Sequence, residues 1–273
     1  MSVSVKNLPE LSEEYPLTEE QITSFRENGH VLLRGVCTPE EIAAYREVLN
    51  SAAYRFNAET RPIEERDTYG KAFLQVINLW TKDAGVRKYV FSRRFASIAS
   101  RLMGVDGVRL YHDQALYKEA KGGHTPWHQD QYYWPLDTDN VVTMWMPLVD
   151  VPINVGALTF ASGSHKTGFL GHLAISDESH DRWDTLVKEQ GYPVQNAPMQ
   201  VGDVTFHSGW TLHMAPGNSG DYTREVMTVI YFEDGINALT PDNENRQNDL
   251  ESWLPGIEPG TVAASALNPV LYP

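Results

Sequence analysis

The chain is 273 residues long, enough to bury a sizeable core as one large domain or two small ones. With 41% hydrophobic and 21% charged residues it has the composition of an ordinary soluble globular protein. A formal charge of −14 argues against a nucleic-acid binder, which would carry a basic face, and the single cysteine, Cys37, rules out an internal disulfide or a cysteine-rich zinc site.

No apolar run reaches membrane-spanning length, Met1–Glu14 lacks the layout of a signal peptide, and Leu271-Tyr272-Pro273 is no peroxisomal address. The expectation is a cytoplasmic protein with no nucleic-acid or membrane partner; its oligomeric state is left open. Residues 1–107 read as a mainly helical flank. Thr18-Glu19-Glu20-Gln21 is a capping box, in which threonine accepts from the third backbone N–H and glutamine reaches back. Ile22 and Phe25 supply an apolar stripe, and Gly29 ends the helix. His30–Arg34 predicts a short strand. Thr38 caps a second helix with Pro39 in its first turn and Ile42, Tyr45, Val48 and Leu49 on its buried face. A further helical stretch covers Gly85–Met103 and stops at Gly104.

From residue 108 the texture changes. Short β-rich runs recur at Val108–Lys118, Val141–Leu148, Ala157–Phe160, Asp203–Phe206, Thr211–Met214 and Glu225–Phe232, punctuated by Gly, Pro, Asn and Asp. The class is therefore mainly β with N-terminal helices: a β-sandwich or small barrel over 108–234, packed against the helical flank. Residues 167–199 are polar and aromatic without a clear period and read as an insertion or lid. Residues 235–273 read as an extension wrapping the surface.

His128-Gln129-Asp130 carries the first chemical signal. In an extended segment, side chains two apart share a face, so imidazole and carboxylate converge as two ligands of one metal must. A third ligand, usually histidine, completes a facial triad that leaves non-haem Fe(II) open positions for co-substrate and dioxygen. Downstream, Thr211 to Arg224 reads as a strand, a turn centred on Asn218-Ser219 and a returning strand. A symmetric hairpin places His213 opposite Arg224, so that imidazole and guanidinium share one face. Such a pair suits a dicarboxylate that chelates a metal at one end and meets Arg at the other.

With these residues in place, the sequence resembles the phytanoyl-CoA dioxygenase family of Fe(II)/2-oxoglutarate oxygenases, from Leu17 to about Asp234. The sharpest matches are His128-Gln129-Asp130 with its aromatic-proline run, Trp145 before Met146-Pro147, Gly156-Ala157-Leu158 leading to Gly163-Ser164-His165-Lys166, and Gly202-Asp203 followed by His213 and Arg224. The resemblance implies one domain over 1–273 with a double-stranded β-helix (jelly-roll) core flanked by α-helices. It also implies iron on His128, Asp130 and His213, and 2-oxoglutarate paired with Arg224 and contacted by Trp145, with O2 as the second co-substrate. Relatives often carry serine two residues after the distal histidine to help hold the far carboxylate; here Ala215 stands there. Halogenating relatives replace the triad carboxylate by Ala or Gly, so Asp130 favours hydroxylation of an unactivated C–H.

His124 reads as a loop residue, His165 as a structural turn residue, and His207 as a hydrogen-bonded core residue within reach of the cavity. His112 and Gln114 share a strand face, and Gln114 is the choice for a co-substrate contact. Lys71 and Gln75 fall where relatives contact the site from above. Trp127, Tyr132, Tyr133, Trp134 and Trp210 form an aromatic collection that packs the core and walls a pocket for a hydrophobic or ring-containing small molecule, of secondary metabolism rather than an acyl-CoA. Two other readings remain: a zinc or manganese jelly-roll enzyme, and a catalytically silent ligand-binding jelly roll.

Overall fold

The computed structural model describes residues 5–273; the first four residues of the Met1–Glu14 segment lie outside that range. Both predicted capping boxes form. Thr18 and Thr38 each accept from the third backbone N–H at 3.2 Å and open α1 (Glu19–Asn28) and, after β1 (His30–Leu33), α2 (Pro39–Phe56). Gly29 ends α1 at φ 78°, a left-handed conformation that favours glycine. Next come α3 (Thr68–Ala72), β2 (Leu74–Ile77), α4 (Ala84–Val90) and α5 (Arg93–Met103). The single helix expected over 85–103 is thus two, because Ser92 accepts from Phe95 N at 3.3 Å and starts a new helix where α4 has ended.

The β region runs β3 (Val108–Tyr117), β4 (Thr125–His128), β5 (Val141–Pro147) and β6 (Thr159–Ala161). Then follow α6 (Asp177–Gln190), β7 (Val194–Asn196), β8 (Val204–Ser208), β9 (His213–Ala215), β10 (Val226–Glu233), α7 (Glu244–Trp253) and β11 (Val270–Tyr272). The stretch read as aperiodic insertion therefore holds a regular helix. Its buried stripe is Ser179, Trp183 and Val187, only two of them apolar, which is too thin to stand out as a helical period.

Two antiparallel sheets result. A seven-stranded sheet has the order β1-β8-β5-β10-β3-β11 with β2 also on β3, and a four-stranded sheet has the order β4-β9-β6-β7. Strand alternation assigns the two faces of the large sheet. Val142, Met144 and Met146 of β5, Val204 and Phe206 of β8, and Met227, Val229 and Tyr231 of β10 join one apolar cluster with α1, α2, α4 and α5. The intervening residues, among them Thr143, Trp145, His207 and Thr228, line a cavity on the opposite face.

The expected His213–Arg224 hairpin does not form. β9 pairs with β4, His128 opposite His213, and with β6, while Arg224 bridges Lys118 just beyond β3. The Asn218 side-chain amide donates to the carbonyls of Lys118 (3.1 Å) and Tyr222 (2.7 Å), so the turn is drawn to the end of β3 and the chain crosses between sheets. The extension also does more than wrap the surface: α7 contributes Asn245, Asp249 and Trp253 to the cavity wall.

Candidate active site

The cavity, about 420 Å³, is of the size expected for a small-molecule site. At its base β4 ends at His128, Gln129 is extended (φ −116°, ψ 125°), and Asp130 begins a turn of 3-10 helix. The extended link keeps the two side chains on one face although the strand has ended. His213 arrives from across the β4–β9 ladder. Asp130 Oδ1 then lies 3.5 Å from His128 Nε2 and 3.7 Å from His213 Nε2. Neighbouring ligands of one metal at ~2.1 Å would be ~3 Å apart, so the three are arranged to take an ion with little adjustment.

The surroundings fit a metal in further respects. His128 Nδ1 donates to Pro126 O (2.7 Å) and His213 Nδ1 to Thr211 O (2.9 Å), which leaves each Nε2 free to coordinate. Burial and the adjacent His128 hold His213 well below the usual imidazole range. Burial alone would push Asp130 up, but the neighbouring His213, His128 and His207 pull it well below the usual carboxylate range. Its second oxygen is taken: Oδ2 accepts from Thr143 Oγ1 at 2.8 Å and from His207 Nε2 at 3.2 Å. Asp130 thus presents Oδ1 inward.

Arg224 lies on the same cavity and is 1% exposed. Its Nη1 donates to Gly156 O at 2.6 Å, its guanidinium stands 5.1 Å from the Trp145 ring centroid, and its Nε has no partner among the described residues. Burial pulls its pKa down to about 9. A buried cation without an anion is unfavourable and is arranged to receive a carboxylate. Ala215 lines the same cavity and brings no hydroxyl.

Residues 25–226 match the family model for phytanoyl-CoA dioxygenase (PhyH). The chain belongs to the phytanoyl-CoA dioxygenase family. It is similar to a probable alpha-ketoglutarate-dependent hypophosphite dioxygenase of Stutzerimonas stutzeri, 23% identical over 78% of this chain and 77% of that one. Among solved structures, the alpha-ketoglutarate-dependent carbocyclase SnoK of nogalamycin biosynthesis superposes with a TM-score of 0.78, at 26% identity over 93% of this chain and 96% of that one. The epimerase SnoN, solved with Fe3+, alpha-ketoglutarate and nogalamycin RO, gives 0.75 at 25% identity over 93% and 98%. This phytanoyl-CoA dioxygenase-family chain is an iron- and 2-oxoglutarate-dependent dioxygenase with a jelly-roll core.

Other expected residues are placed as follows. Trp145 lies against Arg224. Gln114 lines the cavity, yet its carbonyl accepts from Gln75 Nε2 at 2.7 Å and Gln75 in turn accepts from Tyr69 OH at 3.1 Å. Its amide N–H, 3.5 Å from His112 Nδ1, remains the donating end. Lys71 is not among the cavity-lining residues. Of the aromatic collection, Tyr133 and Trp134 line the cavity; Trp127 packs with Trp183 of α6, and Trp210 donates to Asp139 at 2.6 Å. His165 contacts Arg26 O at 3.1 Å in a turn, and His124 stands 3.9 Å from Asp177. Thr143 was missed although it shares a strand face with Trp145; alternation along β5 would have found it.

Proposed function

We propose that His128, Asp130 and His213 hold Fe(II) and that Arg224, backed by Trp145, pairs with the far carboxylate of 2-oxoglutarate. The observation that carries this reading is a His-Asp-His triad with both histidines buried and, facing the same cavity, a buried guanidinium with no ion-pair partner among the described residues. Iron bound there supplies activation of O2 coupled to decarboxylation of 2-oxoglutarate to succinate and CO2. The chain's own residues do the rest. Thr143 and His207 fix the carboxylate that faces the metal. Arg224 orients the co-substrate through a planar fork, and the Gln114 amide can donate to it from β3. Phe73, Leu116, Leu158, Ile175 and Trp134 line the cavity and exclude water from the reacting centre.

The substrate is a small organic molecule, and the reaction is hydroxylation of an unactivated C–H. Retention of Asp130 supports oxygenation over halogenation, and the Tyr133–Trp134 wall supports a ring-containing substrate. The nogalamycin-pathway roles of SnoK and SnoN support a place in secondary metabolism. The test is His213→Ala. It should lose bound iron after dialysis and all Fe(II)- and O2-dependent succinate release. Full succinate release by this variant would refute the ligand assignment, and iron-independent turnover with zinc or manganese would support a different metal enzyme.

A further inference from the structure

Helix α7 turns one stripe to the cavity: Asn245, Asp249 and Trp253, spaced one helical turn apart, all line it. The stripe is held in place. Asn245 Nδ2 donates to Tyr132 OH at 3.0 Å, and Arg246 Nε donates to Tyr132 O at 3.2 Å, tying the helix to the segment that carries Asp130. Trp253 stands edge-on to His112 of β3, ring centroids 5.4 Å apart. Asp249 is therefore fixed on the wall rather than swinging in solvent. Its Oδ2 accepts from Tyr111 OH at 2.9 Å. That donor is neutral. Among the described residues no Lys or Arg makes an ion pair with it, and His112, held by burial down to about 3, cannot supply a charge.

A charge count over the cavity isolates this carboxylate. Resting on the iron and 2-oxoglutarate reading, Fe(II) with Asp130, and the 2-oxoglutarate dianion with Arg224, leave no net charge between them. Asp249 is then the uncompensated ionisable group on the wall. We propose that Asp249 is the substrate-recognition residue and that the substrate is a ring-bearing amine whose ammonium it binds. The bond is a charge-assisted N–H···O contact, strengthened by the low-dielectric wall. Tyr69, Tyr133 and Trp253 line the same cavity, and aromatic rings attract a cation. Burial pushes the Asp249 carboxyl up to about 7, outweighing the Tyr111 hydrogen bond that pulls it down; an arriving ammonium would hold it ionised. An acidic or acyl-CoA substrate would meet a like charge here and be rejected.

The experiment uses the full chain loaded with Fe(II) and 2-oxoglutarate under nitrogen. Binding of tryptamine, 1-aminoadamantane and 2-aminotetralin is compared by calorimetry with that of their N-acetyl derivatives, which keep the ring and lose the charge. Wild type should bind at least one amine about tenfold or more tighter than its acetylated form. Asp249→Asn should bring that ratio close to one, and Asp249→Glu, which keeps the charge, should retain most of it. The ratio is read within each protein, and circular dichroism verifies that each variant is folded. Equal binding of amine and acetylated forms by wild type, no binding of either, or an unchanged ratio in Asp249→Asn would overturn the proposal. The oxygenase reading is scored separately: in this experiment it fails if wild type does not bind 2-oxoglutarate in the presence of Fe(II).

Discussion

Replacing Arg224 by methionine should move stability and co-substrate affinity in opposite directions. The guanidinium is buried, donates to Gly156 O and lies against Trp145, and it makes no ion pair among the described residues. A pKa of about 9 against 12.5 means that below pH 9 the folded state carries a charge it holds poorly, a penalty on the order of 5 kcal/mol. Methionine removes that penalty. It also loses the Gly156 hydrogen bond and the cation–π contact, together about 2–5 kcal/mol. The ligand-free variant should therefore unfold in urea at the same midpoint as wild type or later. Its 2-oxoglutarate affinity should collapse: two charge-assisted hydrogen bonds at about 1.5–3 kcal/mol each correspond to a loss of at least about a hundredfold. Calorimetry with Fe(II) present and O2 excluded reads the second quantity. Affinity within a few-fold of wild type, or a ligand-free protein destabilised by more than about 2 kcal/mol, would refute the reasoning.

Ala215→Ser puts a hydroxyl on β9 in the cavity that Arg224 also lines, and 2-oxoglutarate should bind about tenfold tighter; an unchanged Kd would mean that the position does not face the carboxylate. Thr143→Val removes one of the two donors on Asp130 Oδ2, so Fe(II) affinity should fall about tenfold or more in a metal-competition titration while the fold stays intact. His30, stacked on Phe160 and 2.8 Å from Ser162 Oγ, is held down to about 4 by burial and by the neighbouring His207 and His165. Its folded-state pKa is depressed, so the unfolded chain takes up the proton first. Stability should fall on the order of 3 kcal/mol as pH drops from about 6.5 to about 4, and urea melts of His30→Leu should show a shallower slope over that window.

Much of this architecture is local chemistry and could be read as such. Capping boxes at Thr18 and Thr38 depend on residues three apart, and the strands of the large sheet alternate because one face meets helices and the other a cavity. His128 and Asp130 were readable because their convergence needs only an extended Gln129. The relation of His213 to Arg224 was not, since hairpin reasoning knows only sequence proximity, whereas the Asn218 amide sends the chain to the other sheet. Asp249 escaped notice for a different reason. Among the residues of α7 only Arg246 and Leu250 are buried, so the helix has no apolar stripe, and a polar side chain facing an enclosed cavity looks in sequence like one facing water.

The placement of the two binding groups on different layers has a mechanical consequence. His128 and His213 face each other within the four-stranded sheet, while Trp145 belongs to the seven-stranded one and Arg224 sits where β3 and β10 meet at its end. With the proposed assignment, a co-substrate chelated at one end and ion-paired at the other is a clasp across the sandwich. The layers cannot part without releasing it. Metal and dicarboxylate should then fasten the protein jointly, each gripping more firmly when the other is present, and the filled clasp should resist heat by about 3 kcal/mol at a hundredfold excess over Kd.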